Sequence, residues 1–236
     1  MIKFENTEVF NFEGAIRGMR NPLNSWSKSD SGYCYDDDCD GCPHANVVNP
    51  MHIICTKSDD KFKYIIGEND LILAQQLIKA GSDHRKFLRQ IFVSVDITAP
   101  LYWWKEMDQY RVAVVSNSCS TMHKIHAKEL TLDDFSHEHL TPLGLETLKF
   151  IIDRLNTFRN TYVGECEGIP KGKKRDWWDM IQILPTSYNQ KRTITLNYET
   201  LRNIYNSRRN HKLDEWSVGF MNWIDTLPYA EELIKY

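Results

Sequence analysis

The chain has 236 residues, of which 42% are hydrophobic and 26% charged, a composition typical of a globular protein with one large domain or two small ones. Its 29 Lys and Arg residues against 32 Asp and Glu residues give a formal net charge of -3, which argues against a protein that mainly binds a nucleic-acid backbone. No apolar run reaches the ~20 residues of a membrane helix, and the first residues predict no secretory signal, so we expect a soluble, cytoplasmic protein without membrane partners.

The first quarter of the chain predicts a strand followed by an irregular insertion. Residues 2–12 alternate imperfectly between apolar and polar side chains, which indicates an opening strand. Residues 24–60 are rich in Ser, Asp, Gly, Asn and Cys with little periodicity, and we interpret them as a long loop insertion. The short apolar runs Met51–Cys55 and Phe62–Ile66 are expected to pair as a hairpin.

A helix and the most regular strand of the chain come next. Asn69 is predicted to cap a helix that ends at Gly81 and carries one apolar face, formed by Leu71, Ala74, Leu77 and Ile78. Gln90–Thr98 alternates and is rich in β-branched residues, as expected of a half-buried strand. Pro100 suits the first turn of the helix that follows.

The second half predicts helices around one further strand. A long amphipathic helix opens at Thr141, and a basic connector is expected over residues 163–178. Ile194–Leu196 indicates a strand, followed by helices at about 199–209 and 212–226. This order predicts a single α/β (α+β) domain over residues 1–236, with a mixed or antiparallel sheet flanked by helices.

Two groups of residues could bind a metal ion. The first is a weak candidate for a zinc site in the Cys/Asp-rich loop, because Cys and His at short spacing can form a tetrahedral site; its members are Cys34, Cys39, Cys42 and His44. The other interpretation is an exposed acidic loop with free thiols, since only one CxxC knuckle is present. The second group comprises the histidine pairs His123/His126 and His137/His139, for which surface or capping roles are commoner than metal binding.

Small polar residues cluster in the segment 108–124. Ser, Asn, Cys and Thr occupy consecutive positions there, and such side chains beside backbone N–H groups suit the binding of a phosphate or a carbonyl. Segments of this composition are also common as simple turns.

Arg208 lies on the apolar stripe of a predicted helix, seven residues after Leu201. A guanidinium that faces inward needs an anion, because a buried unpaired charge is too unfavourable. The partner is either a carboxylate of the next helix, Asp214 or Glu215, or a ligand that carries a phosphate.

Several of these segments together resemble the flavin-dependent thymidylate synthases (ThyX). Ala99-Pro100, the aromatic helix after it, Gln109-Tyr110-Arg111 and the Ser/Asn/Cys stretch resemble the signature region of that family. The match is better towards the C-terminus, where the spacing from Leu184-Pro185 to Arg208 is reproduced without a gap. The resemblance spans roughly residues 69–235.

The resemblance implies a fold, an activity and a set of ligands. Members of the family are homotetramers that hold FAD between subunits and stack dUMP on the flavin. They methylate dUMP to dTMP with methylenetetrahydrofolate, and NADPH reduces the flavin. Two alternatives remain open for this chain: a related flavin- or folate-dependent change such as hydroxymethylation, and a non-catalytic binding or structural protein that kept the fold.

The resemblance also implies roles for individual residues. Those expected to face the nucleotide are Arg208, Cys119, Ser120, Asn117 and Glu106. Those expected to face the flavin are Arg111, Tyr110, Gln109, Asn197, Asn203 and His211. No side chain is assigned as a nucleophile, because the flavin carries the redox chemistry in such enzymes.

This chain departs from the family where phosphate is bound. Thr121 and Ile181 occupy the positions of two phosphate-binding arginines, and Gln109 and Tyr110 replace an Arg and a His. Each lost arginine contact removes a charge-assisted hydrogen bond worth about 1.5–3 kcal/mol. Substitute cations are therefore expected, and the candidates are Lys124, Arg89 and Arg192.

Overall fold

The structure is a computed structural model that describes residues 2–34, 63–164, 172 and 174–236. The strands are Lys3–Phe10 (β1), Gly32–Cys34 (β2), Lys63–Ile65 (β3), Phe92–Pro100 (β4), Val115–Ser118 (β5) and Asn189–Asn197 (β6). The α-helices are Phe12–Arg20 (α1), Glu68–Lys79 (α2), Leu101–Met107 (α3), Thr121–Lys124 (α4), Pro142–Val163 (α5), Lys174–Ile183 (α6), Tyr198–Arg208 (α7) and Met221–Asp225 (α8). Two π-helical stretches lie at Glu215–Phe220 and Ala230–Lys235, and short 3-10 turns lie at Asn21–Leu23, Trp26–Lys28, Arg85–Gln90 and Leu132–Asp134.

The main sheet has four antiparallel strands in the order β1-β4-β6-β5. Val93, Val95 and Ile97 of β4 are completely buried while the residues between them are half-buried, so the alternation in the sequence corresponds to one core-facing side of the strand. The antiparallel sheet flanked by helices confirms the predicted fold class. The strand itself begins and ends two residues later than predicted.

Two separate hydrophobic clusters lie on the described elements. The larger joins the sheet to α1, α2, α3, α7 and the C-terminal helices, and it includes Trp103, Trp104 and Trp216. The smaller lies between α5, α6 and the turn before α5, around Leu155, Met180 and Phe135. Although α5 has 22 residues, neither it nor any other described helix is long and apolar enough to cross a membrane.

The start of α2 corrects the prediction that Asn69 is its N-cap. Gly67 occupies that position, and the carboxylate of Asp30 accepts the backbone N–H groups of Asn69 and Asp70 at 2.8 and 3.1 Å. The capping group therefore comes from a distant segment, so a local sequence signal could not identify it. The prediction for the other end is confirmed, since Gly81 follows the helix with φ of +107°.

The insertion predicted over residues 24–60 is described only up to Cys34. Its first part contains one 3-10 turn, Trp26–Lys28, and then β2, which pairs with β3 rather than remaining irregular. Of the expected hairpin, Lys63–Ile65 is a strand paired with Gly32–Cys34, while Met51–Cys55 lies outside the described residues.

One prediction in the second half is wrong. Residues 174–178 belong to α6, not to a connector, because Trp177 and Met180 pack against α5 in the smaller cluster. The helix expected at about 212–226 is confirmed, although its first part, Glu215–Phe220, is π-helical before it continues into α8. The long helix that opens with Thr141 is confirmed, and the Thr141 side chain accepts the backbone N–H of Gly144 as its N-cap.

Candidate functional site

Five polar and aromatic side chains meet where α3, the end of α7 and the π-helical stretch converge. We call them the Arg208 cluster: Glu106, Tyr110, Arg208, His211 and Trp216. Glu106 is carried by α3, Tyr110 by the turn after it, and Arg208 by the last turn of α7. Trp216 lies in the π-helical stretch, a type of irregularity that is frequent at functional sites.

The guanidinium of Arg208 is held by two hydrogen bonds and lies beside two aromatic rings that contact each other. Its Nη1 donates to Glu106 Oε2 and its Nε to the Tyr110 hydroxyl, both at 2.9 Å. The Cζ atom lies 5.6 Å from the centre of the Tyr110 ring and 5.3 Å from that of Trp216, within cation–π range. The side chains of Arg208 and Glu106 are 16% and 29% exposed, so the pair borders solvent.

Glu106 also joins two further members of the cluster. Its Oε2 accepts the Trp216 indole N–H at 3.0 Å and lies 3.3 Å from His211 Nε2. The backbone N–H of Leu213 donates to His211 Nδ1 at 3.1 Å, so that nitrogen is an acceptor and the ring proton lies on Nε2, towards Glu106. One carboxylate thus orients an arginine, an indole and an imidazole.

The structure corrects the expected carboxylate partners of Arg208. Glu215 instead accepts the hydroxyl of Tyr102, and burial together with this carboxylate raises the pKa of Tyr102. Asp214 lies 3.3 Å from His139 Nε2. Arg208 pairs with Glu106 of α3, while the following π-helical stretch contributes the Trp216 ring and not a carboxylate.

The residues expected at a flavin lie on α7, just after it, or in the turn after α3. Gln109 and Arg111 are exposed, and Arg111 Nε donates to the backbone carbonyl of Asp108 at 3.1 Å. Asn203 is exposed on α7. Asn197 differs, since it is 2% exposed and its Oδ1 caps α7 by accepting the N–H of Thr200 at 2.9 Å.

Asn117, Cys119 and Ser120 lie at and after β5 on the edge of the sheet. Asn117 is exposed and opposite Thr193, and the backbone N–H of Cys119 continues the pairing by donating to Lys191 O at 2.9 Å. Ser120 caps α4 by accepting the N–H of His123 at 3.2 Å. These three residues make no hydrogen bond to the Arg208 cluster.

No group of three or more His, Cys, Asp or Glu side chains that could bind a metal ion occurs in the part of the chain that the structure describes. The zinc candidate is not covered, because Cys39, Cys42 and His44 and the side chain of Cys34 lie outside it. His137 Nδ1 bonds to Phe135 O at 2.8 Å, a local role of the kind weighed against metal binding.

The expected substitutes for the missing phosphate arginines are mostly engaged elsewhere. Arg89 is paired with Glu199, and Arg192 donates to Asp108 at 2.8 Å while its guanidinium stacks over Trp104. Of the three candidates, only Lys124 is exposed without such a partner among the described residues.

Sequence reasoning missed Trp216 and Tyr102, each of which donates a hydrogen bond to a glutamate. Trp216 is buried, and an indole N–H usually needs an acceptor when it is buried. Tyr102 precedes Glu106 by four residues on α3, so their tips lie on the same face of the helix. That i, i+4 spacing was the available signal.

No known protein-family profile matches the chain, and no curated protein matches it in sequence. Solved structures do match it. One is thymidylate synthase ThyX of Helicobacter pylori with FAD and dUMP, with 16% identity and a TM-score of 0.60 over 100% of this chain and 98% of that one. Another, flavin-dependent thymidylate synthase ThyX of the same organism complexed with FAD and dUMP, has 15% identity and a TM-score of 0.60 over 98% and 99% of the two chains. The chain therefore has a ThyX-like fold.

Proposed function

We propose that this protein is a cytoplasmic flavin-dependent thymidylate synthase-like enzyme that methylates dUMP to dTMP with methylenetetrahydrofolate and NADPH, as a homotetramer. The observation that carries the proposal is the Arg208 cluster within a ThyX-like fold. A half-buried arginine beside two aromatic rings suits an anionic, planar ligand such as a pyrimidine nucleotide.

Exposed hydrogen-bond donors on α7 and in the turn after α3 suit FAD. Arg111, Gln109 and Asn203 are exposed and offer guanidinium and amide N–H groups, which match the pyrophosphate and ring carbonyl oxygens of this cofactor. Asn197 does not fit, since its oxygen caps α7. When bound, the flavin would supply the redox chemistry of the reaction.

The Arg208 cluster would bind and orient the nucleotide. Arg208 Nη2 donates to none of the residues that the structure describes, whereas Nε and Nη1 are fixed by Tyr110 and Glu106. A guanidinium held in this way needs little reorganisation to donate to a carbonyl or phosphate oxygen. His211, with its proton on Nε2, would keep Glu106 in place from the other side.

A second candidate function is nucleotide binding without catalysis. The observation in its favour is that Glu106 already neutralises Arg208, so the arginine has a structural partner even without a ligand. Hydroxymethylation of a pyrimidine nucleotide is the alternative chemistry on the same site.

The test is the absorption spectrum of the purified protein after incubation with FAD, followed by titration with dUMP. We expect a flavin spectrum that shifts with dUMP, and dTMP as the product once methylenetetrahydrofolate and NADPH are added. Arg208→Met should abolish the dUMP-induced shift, whereas Arg209→Met, an exposed change one residue away, should retain it. A colourless protein that cannot be loaded with FAD would contradict the proposal, and a shift without any product would favour non-catalytic binding.

A further inference from the structure

The two carboxylate oxygens of Glu106 differ in how they are used. Oε2 is approached by three groups, since Arg208 Nη1 and the Trp216 indole N–H donate to it at 2.9 and 3.0 Å and His211 Nε2 lies 3.3 Å away. Oε1 accepts no hydrogen bond from the residues that the structure describes, although the side chain is only 29% exposed. Because a carboxylate has acceptor sites on both oxygens, the unused capacity of Glu106 lies on one atom.

Arg208 has the complementary arrangement. Its Nε and Nη1 donate to Tyr110 and Glu106, whereas Nη2 donates to no residue in the described ranges. The bond between Nη1 and Oε2 joins the two side chains, so the free nitrogen and the free oxygen belong to one ion pair at the border with solvent. This pair therefore offers a ligand one charged donor and one charged acceptor.

A ligand edge that carries a carbonyl oxygen beside an N–H group matches such a pair. Uracil has this edge, because its N3–H lies between two carbonyl groups. A phosphate group matches less well, since its oxygens and the free oxygen of Glu106 are both negative and repel each other. The base is therefore the part of a nucleotide that suits the ion pair of Arg208 and Glu106.

We propose that Glu106 is a specificity-determining residue, whose Oε1 accepts the N3–H of the uracil base while Arg208 Nη2 donates to the neighbouring carbonyl oxygen. The inference rests on the function proposed above and adds which part of the nucleotide the Arg208 cluster recognises. Cytosine is selected against, because its N3 presents a lone pair to Oε1 and leaves both acceptors without a hydrogen. Trp216 and His211 are positioning residues, since they hold Oε2 and leave Oε1 for the base.

The donors at Oε2 make Glu106→Gln an informative change. Arg208 and Trp216 both donate to this oxygen, so the glutamine carbonyl occupies its place and the amide NH2 group replaces Oε1. The acceptor for the base is thereby exchanged for a donor. A donor opposes the N3–H of uracil but matches the lone pair on N3 of cytosine.

Calorimetric titration of the FAD-loaded protein with dUMP and with dCMP tests the proposal. We expect the wild-type protein to bind dUMP about 10- to 100-fold more tightly, as one charge-assisted hydrogen bond implies, and Glu106→Gln to lower this preference at least 10-fold. Glu146→Gln, an exposed change on α5, is the matched control and should leave the preference unchanged. Equal affinity of the wild-type protein for both nucleotides, or an equal weakening of both by Glu106→Gln, would overturn the proposal.

A second titration separates this proposal from the proposed function. Deoxyuridine or deoxycytidine is added to the protein without FAD while the indole N–H signal of Trp216, identified by its loss in Trp216→Phe, is followed by NMR. A larger shift with deoxyuridine, reduced in Glu106→Gln, supports the role of Glu106 even if the protein binds no FAD or forms no dTMP, a result by which the proposed function alone fails. No shift with deoxyuridine, or the same shift with both nucleosides, overturns the assignment.

Discussion

Two arginine–carboxylate pairs in this molecule are built in opposite ways. Arg20 and Asp70 are 4% and 0% exposed, whereas Arg208 and Glu106 are 16% and 29% exposed. In the first pair Arg20 donates to one oxygen of Asp70, and the other oxygen accepts the hydroxyls of Ser29 and Ser31 at 2.7 and 2.6 Å. In the second pair Arg208 donates to Glu106 and Tyr110 at the border with solvent, and its Nη2 donates to no residue in the described part of the chain.

The difference separates a structural ion pair from one that can accept a ligand. Asp70 also accepts the backbone N–H groups of Asp30 and Ser31, both at 3.2 Å, so it fixes the segment before β2 to the start of α2. Several hydrogen bonds compensate the desolvation of the buried Asp70, and the burial of both groups keeps them from contacting a ligand. The Arg208 cluster, at the border with solvent, keeps an unused donor.

The largest effect is expected at the buried pair. Asp70→Asn would leave Arg20 without a countercharge and turn amide hydrogens towards N–H donors, so the free energy of unfolding should fall by about 3–5 kcal/mol. Denaturant unfolding measures it. Glu13→Gln, which removes the exposed partner of Arg17, is the control and should change stability by about 0.5 kcal/mol or less. A loss below about 1 kcal/mol for Asp70→Asn would mean that the buried pair does not stabilise the fold more than the pair of Arg208 and Glu106.

The buried pair of Arg20 and Asp70 also predicts that the free energy of unfolding falls at low pH. Burial opposes ionisation of Asp70, but hydrogen bonds from Ser29, Ser31 and Arg20 outweigh it and hold the pKa of Asp70 below its ordinary 3.8. Because the unfolded chain then takes up the proton first, this contribution is present above pH 3.8 and is lost as the pH falls through the lower, folded-state pKa.

Unfolding curves of the wild-type protein and Asp70→Asn should therefore converge as the pH is lowered below about 4. Glu199, whose pKa is also lowered because bonds from Arg89 and Arg85 outweigh burial, is present in both proteins, so their difference isolates Asp70. A constant difference between pH 7 and pH 2 would show that the charge of Asp70 does not stabilise the fold.

A smaller effect is expected at the Arg208 cluster. Glu106→Gln keeps an oxygen that can accept from Trp216 or Arg208 but removes the charge, so stability should fall by about 1–2 kcal/mol. Denaturant unfolding of Glu106→Gln and Asp70→Asn under the same conditions compares the two losses of unfolding free energy. If Glu106→Gln were the more destabilising change, the Arg208 cluster would be a structural centre, and the non-catalytic alternative would gain support.

Local patterns in the sequence predicted the regular elements well. The alternation in β4, the positive φ at Gly81 and the Thr141 cap depend on residues close in the chain, and the structure confirms each of them. The start of α2 was mispredicted because its cap, Asp30, lies 39 residues before the N–H of Asn69 that it accepts. The helix α6 was missed because its basic, glycine-containing surroundings resemble a connector.

Separation along the sequence also limited what could be predicted about the site. The position of Arg208 on an apolar stripe indicated that it needs an anion, and the structure supplies one, but its partner Glu106 is 102 residues away. Nearby carboxylates were therefore the wrong expectation. The resemblance to ThyX supplied Glu106, Tyr110, Arg208 and His211 as functional candidates, and the fold brings these four together.

The strand order has a consequence for synthesis on the ribosome. Both partners of β4 are remote in sequence, and its pairing with β6 cannot begin until Asn189–Asn197 has emerged. At ~5–20 residues per second, the roughly 90 residues between Pro100 and Asn189 take about 5–20 s to make. Throughout that interval the nascent chain carries a β-branched strand with one edge open, so co-translational chaperones have a defined segment to shield.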